Sequence, residues 1–174
     1  DDNGFEYLIS PKDIGTDDTK DSDIDPTTKR TDCFPFDPET GINTDIGVYP
    51  PTGELTGIAF EDINKNGLFD NNEPLLENIT VTLTNCNNTT PIATTRTTAT
   101  GDYSFDNLLS GVYQVTFNTT TNTQGISNYT PSLQGVASTT KKNPDIHTIT
   151  NASDCITFNP LEGAEVDAGF FQPI

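Results

Sequence analysis

The chain has 174 residues, room for one domain or one and a half, and its 26 acidic against 8 basic residues leave a net charge of −18. That charge argues against a nucleic-acid partner, which needs a basic stripe, and it strains a compact fold unless cations neutralise it. Only 32% of residues are hydrophobic and no apolar run approaches the roughly 18 residues of a membrane span, so no membrane insertion is expected.

The opening residues, DDNGFEYLIS, have neither the basic nor the apolar region of a signal peptide, which reads as a mature product or an interior fragment. Next comes GTDDTKDSDID, residues 15–25, where Asp17, Asp18, Asp21, Asp23 and Asp25 crowd together and call for a counter-ion. TDCFPFDPETGINTDIGVY, from Thr31, then lies without a gap over SDCITFNPLEGAEVDAGFF, from Ser153. Cys33 falls on Cys155, Phe36 on Phe158, Gly41 on Gly163, Asp45 on Asp167 and Gly47 on Gly169, always 122 residues apart. The match reaches upstream to Tyr7 on Tyr129, Lys20 on Lys142 and Asp23 on Asp145.

This offset sets the domain boundaries. Residues 53–174 form one full unit, residues 1–52 match only its last part, and VYPPTGE, with its paired prolines, is the linker. A half-domain has unpaired strand edges and an uncovered apolar face. Residues 1–52 are therefore expected to be completed by a neighbouring copy. ASTTKKNPDIH, the second counterpart of the acidic cluster, keeps only Asp145, so an ion site there is expected in the first copy and weak or absent in the second.

Within the full unit every predicted element is a strand. LTGIAFE, NITVTLTNC, ATTRTTA, YSFDNL, VYQVTF, CITF and EVDAGFF are short, rich in β-branched or aromatic residues, and bounded by Gly, Pro, Asn and Asp. Tyr103 and Phe105 alternate with polar neighbours, as do Tyr113, Val115 and Phe117, the period of a strand with one buried face. Seven or eight such strands predict an all-β, antiparallel sandwich.

Between the first two strands lies DINKNGLFDNNE, with the spacing of a twelve-residue calcium loop. Asp62, Asn64, Asn66 and Asp70 offer side-chain oxygens at positions 1, 3, 5 and 9, Leu68 a backbone carbonyl at 7, and Glu73 a bidentate carboxylate at 12. Gly67 supplies the sharp turn. A calcium sensor pivots two helices, and here the flanks read as strands, so Ca2+ is expected to act as a clamp.

Three cysteines sit in a chain of extracellular character. Cys86 ends one strand and Cys155 begins another in the same unit, so their pairing would staple one sandwich. Cys33, the counterpart of Cys155, then needs a partner on another copy. Sequons start at Asn78, Asn87, Asn88, Asn118, Asn128 and Asn151, as in a secreted glycoprotein. No catalytic constellation is visible, and lone His147 reads as structural or exposed; no enzyme activity is expected.

The combination of FEDINKNGLFDNNEP, ITVTL, GDYSFDNLLSGVYQVTF and VDAGFF, with DIGTDDTKDSDID and IGVY in the partial copy, resembles the calcium-binding B repeat of serine-aspartate-repeat adhesins, a relative of the collagen-adhesin B-type domain. The resemblance implies a prealbumin-like or immunoglobulin-like sandwich rigidified by calcium, with Asp62, Asn64, Asn66, Asp70 and Glu73 as ligands and the Asp17–Asp25 cluster supplying more. It also implies a stalk segment at the cell surface. The Lys–Asn isopeptide bond of some relatives is not expected, because GELTGIAF has no Lys. The expected role is a structural subunit of an extracellular fibre or stalk, a head-to-tail homopolymer joined by strand complementation. The competing expectation is a surface adhesin module that presents loops to a glycan or protein ligand.

Overall fold

The computed structural model describes residues 7–13, 22–33, 38–39, 43–88, 90–119, 129–135 and 142–173, and the chain forms two compact units, Asp1–Pro51 and Thr52–Ile174. Asp17, Asp18, Asp21 and Asn128 lie outside the described residues. In the first unit, β1 (Leu8–Ile9) pairs antiparallel with β2 (Val48–Tyr49).

The second unit is a two-sheet sandwich. One sheet is antiparallel throughout: β4 (Thr80–Asn85) and β7 (Gly111–Asn118) form its centre, with β5 (Pro91–Arg96) and β9 (Ile156–Phe158) at the edges. The alternation expected in β7 is present, with Tyr113, Val115 and Phe117 buried and their neighbours half-buried. The other sheet is built on β3 (Gly53–Glu61). It is flanked by β6 (Asp102–Leu108), β10 (Ala164–Glu165) and β11 (Ala168–Phe171), with β8 (Thr130–Pro131) beyond β11.

The sandwich has one departure in strand direction from the antiparallel expectation. β3 runs parallel to β10 and β11 and antiparallel to β6, which makes this sheet mixed. Parallel neighbours cannot be joined by a tight turn, and the strands of the other sheet lie between β3 and β10 in sequence. Being central, β3 buries both faces in its second half: Ile58, Ala59 and Phe60 are all inside. Gly57 is required there, because a Cβ would lie 1.9 Å from the Val166 carbonyl oxygen.

Two further irregularities have local causes. β6 carries an extra residue against β3, with Asn107 at φ +58°, and this bulge turns Leu108 inward against strict alternation. The stretch EVDAGFF is split at Val166–Asp167. There the Val166 N–H donates to the Thr56 carbonyl (2.8 Å), and the Asp167 carboxylate accepts from the Ile58 N–H (2.9 Å) in place of a backbone carbonyl.

Between the sheets lies one core that includes Leu55, Val81, Leu83, Phe105 and Phe158. Tyr103 meets Phe117 edge-on at 5.5 Å, and Phe117 meets Phe170 at 6.2 Å. For function the unit is best divided by sequence into a head, residues 53–118 with β3 to β7, and a tail, residues 129–173 with β8 to β11. Head and tail are joined by the Cys86–Cys155 disulfide, whose Cα atoms are 6.2 Å apart.

Candidate metal centre and tail face

The loop from Asp62 to Glu73 is folded around its own oxygens. Buried Asp62 accepts from the Asn66 N–H through Oδ1 (3.1 Å) and from the Gly67 N–H through Oδ2 (2.9 Å). Asn64 Oδ1 accepts from the Asn66 N–H (3.0 Å), and Asn66 Oδ1 from the Leu68 N–H (2.7 Å). Glu73, also buried, closes the ring by accepting from the Ile63 N–H (3.0 Å) and the Asp70 N–H (2.9 Å). Gly67 takes φ +71°, which makes the turn possible.

Two observations test this loop against a calcium ion. Asp62 and Glu73 are buried carboxylates held by backbone N–H groups, and among the described residues no Lys or Arg pairs with either. A buried charge of that kind calls for a cation. Asn64 and Asn66 also converge through their Nδ2 atoms on Asp70 Oδ2, at 2.8 and 3.0 Å. Turning these two amide oxygens toward an ion at that place would exchange the Asn66 and Leu68 N–H bonds for coordination. The donor set is all oxygen, as a hard cation prefers, and it depends on the asparagines: among the described residues no three His, Cys, Asp or Glu side chains cluster as a metal site.

The loop also touches the tail. The Asp62 N–H donates to the Phe170 carbonyl (2.8 Å), the Phe69 N–H to the Lys142 carbonyl (2.8 Å), and Lys65 Nζ stands 4.8 Å over the Phe171 ring.

Of the second acidic cluster, Asp23 and Asp25 are described and both cap backbone. Asp25 Oδ1 accepts from the Thr27 and Thr28 N–H groups (2.8 and 2.7 Å), and the Thr28 and then the Thr27 hydrogen bond lower its pKa. Asp23 Oδ2 accepts from the Asp45 N–H at 2.7 Å. Its counterpart repeats this bond, with Asp145 Oδ2 accepting from the Asp167 N–H at 2.9 Å.

That correspondence extends along both tails. Ile9 pairs with Val48 as Pro131 does with Phe170. The Ser10 N–H reaches the Gly47 carbonyl at 2.8 Å, and the Ser132 N–H the Gly169 carbonyl at 2.9 Å. Asp13 N–H to Ser22 carbonyl matches Gly135 N–H to Pro144 carbonyl, both at 3.1 Å, and Lys29 and Asn151 share positive φ at +59° and +53°. The coverage differs. Ile46 and Val48 are 56% and 53% exposed, whereas Ala168 and Phe170, beside β3 and inside the core, are at 0%.

Asp167 was not read as a site residue from sequence, because it occupies what looks like an outward position of EVDAGFF. Burial pushes its pKa up to about 6; the Ile58 hydrogen bond and Lys142, 3.6 Å away, pull the other way, and Glu165 and Asp145 add to the rise. Burial also raises Asp145. Burial lowers the Lys142 pKa, but its hydrogen bond to Glu165 and the Asp167 charge outweigh this, for a net rise. His147 is exposed and pairs with Asp154.

Of the sequon asparagines, Asn87, Asn88 and Asn118 are exposed; Asn78 and Asn151 are half-buried, and Asn78 accepts from Arg96. Cys33 is exposed and free.

A family model described as the SdrD B-like domain matches residues 53–170. The chain belongs to this family. Over 172 residues, 97% of its length, it is 30% identical to serine-aspartate repeat-containing protein F of Staphylococcus epidermidis. Over 131 residues, 75% of its length, it is 31% identical to serine-aspartate repeat-containing protein D of Staphylococcus aureus. The chain spans 10% and 9% of those two relatives.

A solved structure, the major pilin subunit BcpA of Bacillus cereus, superposes with a TM-score of 0.44 at 12% identity, covering 75% of this chain and 33% of that one. That likeness is too loose to carry a functional argument. This SdrD B-like protein is extracellular, a structural repeat of a cell-surface protein. Its disulfide accords with an oxidising compartment. Among the described residues no helix is long and apolar enough to cross a membrane.

Proposed function

We propose that this SdrD B-like chain is a calcium-clamped segment of a surface stalk or fibre, joined to its neighbours when the head of one copy covers the uncovered tail of another. The role is mechanical, without catalysis. Support for the joint comes from one comparison: the tails share their hydrogen bonds residue for residue, yet Val48 is 53% exposed where Phe170 is fully buried. Covering the half-exposed Ile46 and Val48 would contribute about 1–1.5 kcal/mol each by removal from water. A docked head strand also supplies the N–H that Ile58 gives to Asp167, here for Asp45.

Calcium would be held by the carboxylates of Asp62, Asp70 and Glu73, the amide oxygens of Asn64 and Asn66, and the Leu68 carbonyl. The ion supplies the positive charge that the two buried carboxylates lack. The loop holds the Phe170 and Lys142 carbonyls, so a rigid loop is a rigid head–tail seam. Exposed Asn87, Asn88 and Asn118 would carry sugar.

Electron microscopy of the chain in millimolar calcium tests this reading. Filaments with an axial repeat of one or two sandwiches are expected, and removal of residues 1–52 abolishes them while leaving 53–174 folded. Filaments that survive the truncation, or dispersed particles of the full chain at every concentration, would overturn it.

A further inference from the structure

The chain holds two tails and one head, and its three cysteines follow the same count. Cys86 belongs to the head and is bonded to Cys155 of the second tail, while Cys33, at the same place on the first tail, is a free and exposed thiol. The bond itself is reachable, since Cys155 is exposed and Cys86 half-buried. A tail seated on the head in the register seen here brings its cysteine to the Cys155 position, with its Cα 6.2 Å from that of Cys86. That distance is ordinary for a disulfide. The equivalence of the tails, down to the turn that precedes each cysteine, is the independent observation that gives Cys33 a partner: the Asp25 N–H donates to the Arg30 carbonyl as His147 does to Ala152, at 3.0 and 2.9 Å.

We propose that Cys33 of one copy exchanges into the Cys86–Cys155 disulfide of a second copy as the first tail displaces that copy's own tail from its head. This rests on the head–tail reading above and adds the covalent chemistry of the joint. The Cys33 thiolate attacks Cys86 Sγ and a new S–S bond forms. The Cys86–Cys155 bond breaks, and its electron pair leaves on Cys155 Sγ, which takes a proton from water. One disulfide is made for each one lost, so no oxidant is consumed.

The product has a consequence for assembly. The displaced tail carries a free Cys155 and an uncovered face, which is the state in which the first tail began. Each exchange therefore regenerates one thiol and one open tail, and the linkage can propagate along a series of copies. Simple oxidation of Cys33 to Cys33 would stop at two chains. The head closes better on its own tail, because Phe170 reaches Phe117 where Val48 is shorter, so exchange is favoured by high protein concentration.

The test mixes equal amounts of unlabelled and nitrogen-15-labelled full-length chain, each with Cys33 reduced and Cys86–Cys155 intact. The mixture stands at mildly alkaline pH without added oxidant and is then alkylated and digested for mass spectrometry. Mixed-isotope Cys33–Cys86 peptides, matched by newly alkylated Cys155, are expected; both increase with protein concentration and both vanish in Cys33→Ser. Finding only Cys33–Cys33 peptides, only same-isotope Cys33–Cys86 peptides, or Cys155 that stays unalkylated overturns the exchange.

Two variants separate this from the reading on which it rests. Filaments from Cys33→Ser, in the absence of mixed peptides from the unsubstituted chain, leave strand complementation standing and remove the exchange. Val48→Glu alters an exposed residue, so the free unit tolerates it, yet it should reduce the mixed peptides at least tenfold. Peptides undiminished in Val48→Glu would show thiol chemistry without docking, and would remove the docked joint itself.

Discussion

The two tails have the same backbone and different surroundings. In both, a two-residue strand pair, a turn at positive φ and a reciprocal pair of Asp hydrogen bonds recur at a spacing of 122 residues. In one, Ala168 and Phe170 are buried in the core; in the other, Ile46 and Val48 are exposed. The local hydrogen bonds of this substructure therefore do not need the head, whereas its burial does.

The largest expected difference follows directly. Phe170→Ala should cost the second unit about 3–5 kcal/mol, since it empties a filled core position. Val48→Ala, at the matching exposed site, should change stability by less than about 0.5 kcal/mol in dilute chain. Denaturant melts of the two variants make the comparison, and a Val48 cost approaching that of Phe170 would mean that the first tail is already covered.

How much of this was legible in the sequence varied with the kind of signal. The strands of β4, β6 and β7 were readable because hydrophobic alternation reports one buried face, as at Tyr113, Val115 and Phe117. Strand direction around β3 was not readable, since alternation carries no information about which neighbour pairs with it. β8 was missed because Thr130–Pro131 is two residues long and has no period. The closed turn from Asp62 to Glu73 followed from spacing, because a loop that folds on its own oxygens fixes which positions point inward. Asp167 did not, because its ladder-completing role arises from a break in β11 pairing that no local pattern announces; only its match to Asp45 at the repeat offset was a hint.

Calcium should separate the units next. At 100 times its dissociation constant, an ion bound at Asp62–Glu73 should stabilise the second unit by about 2.7 kcal/mol, and chelation should remove that amount. Glu73→Gln should abolish the calcium-dependent rise in the melting midpoint of this unit. Titration calorimetry on the same variant then sharpens the comparison: heat that remains belongs to the Asp17–Asp25 cluster, and its absence would assign calcium to the second unit alone.

A smaller effect is expected from pH. Asp167 titrates at about 6 in the folded chain against 3.8 in a free carboxyl, so between those values the native state holds more protons than the unfolded state. Stability from this group therefore falls as pH rises from 3.8 to 6 and is level above, by about 3 kcal/mol at most. Lys142, Glu165, Asp145 and Tyr103 are the polar groups around it. Asp167→Asn keeps an oxygen for the Ile58 N–H and removes the buried charge, at the loss of the Lys142 contact. It should raise stability near pH 7.5 by about 1–2 kcal/mol and flatten the slope between pH 4 and 6; a slope left intact would transfer the titration to Asp145.

The smallest effect falls where loop and tail meet. Lys65 stands over Phe171, whose counterpart on the first tail is Tyr49, 45% exposed. Lys65→Gln keeps most of the stem and loses the cation–π contact, which should cost about 0.5–1 kcal/mol of head–tail stability. The same substitution removes a positive charge from a loop that carries the Asp62, Asp70 and Glu73 carboxylates, so calcium should bind more tightly. The two consequences have opposite signs: without calcium the variant melts below the unsubstituted chain, and with calcium the gap narrows. A gap that is equal in both conditions would mean that Lys65 acts on the tail alone and that its charge does not reach the ion, leaving the loop and the seam energetically separate.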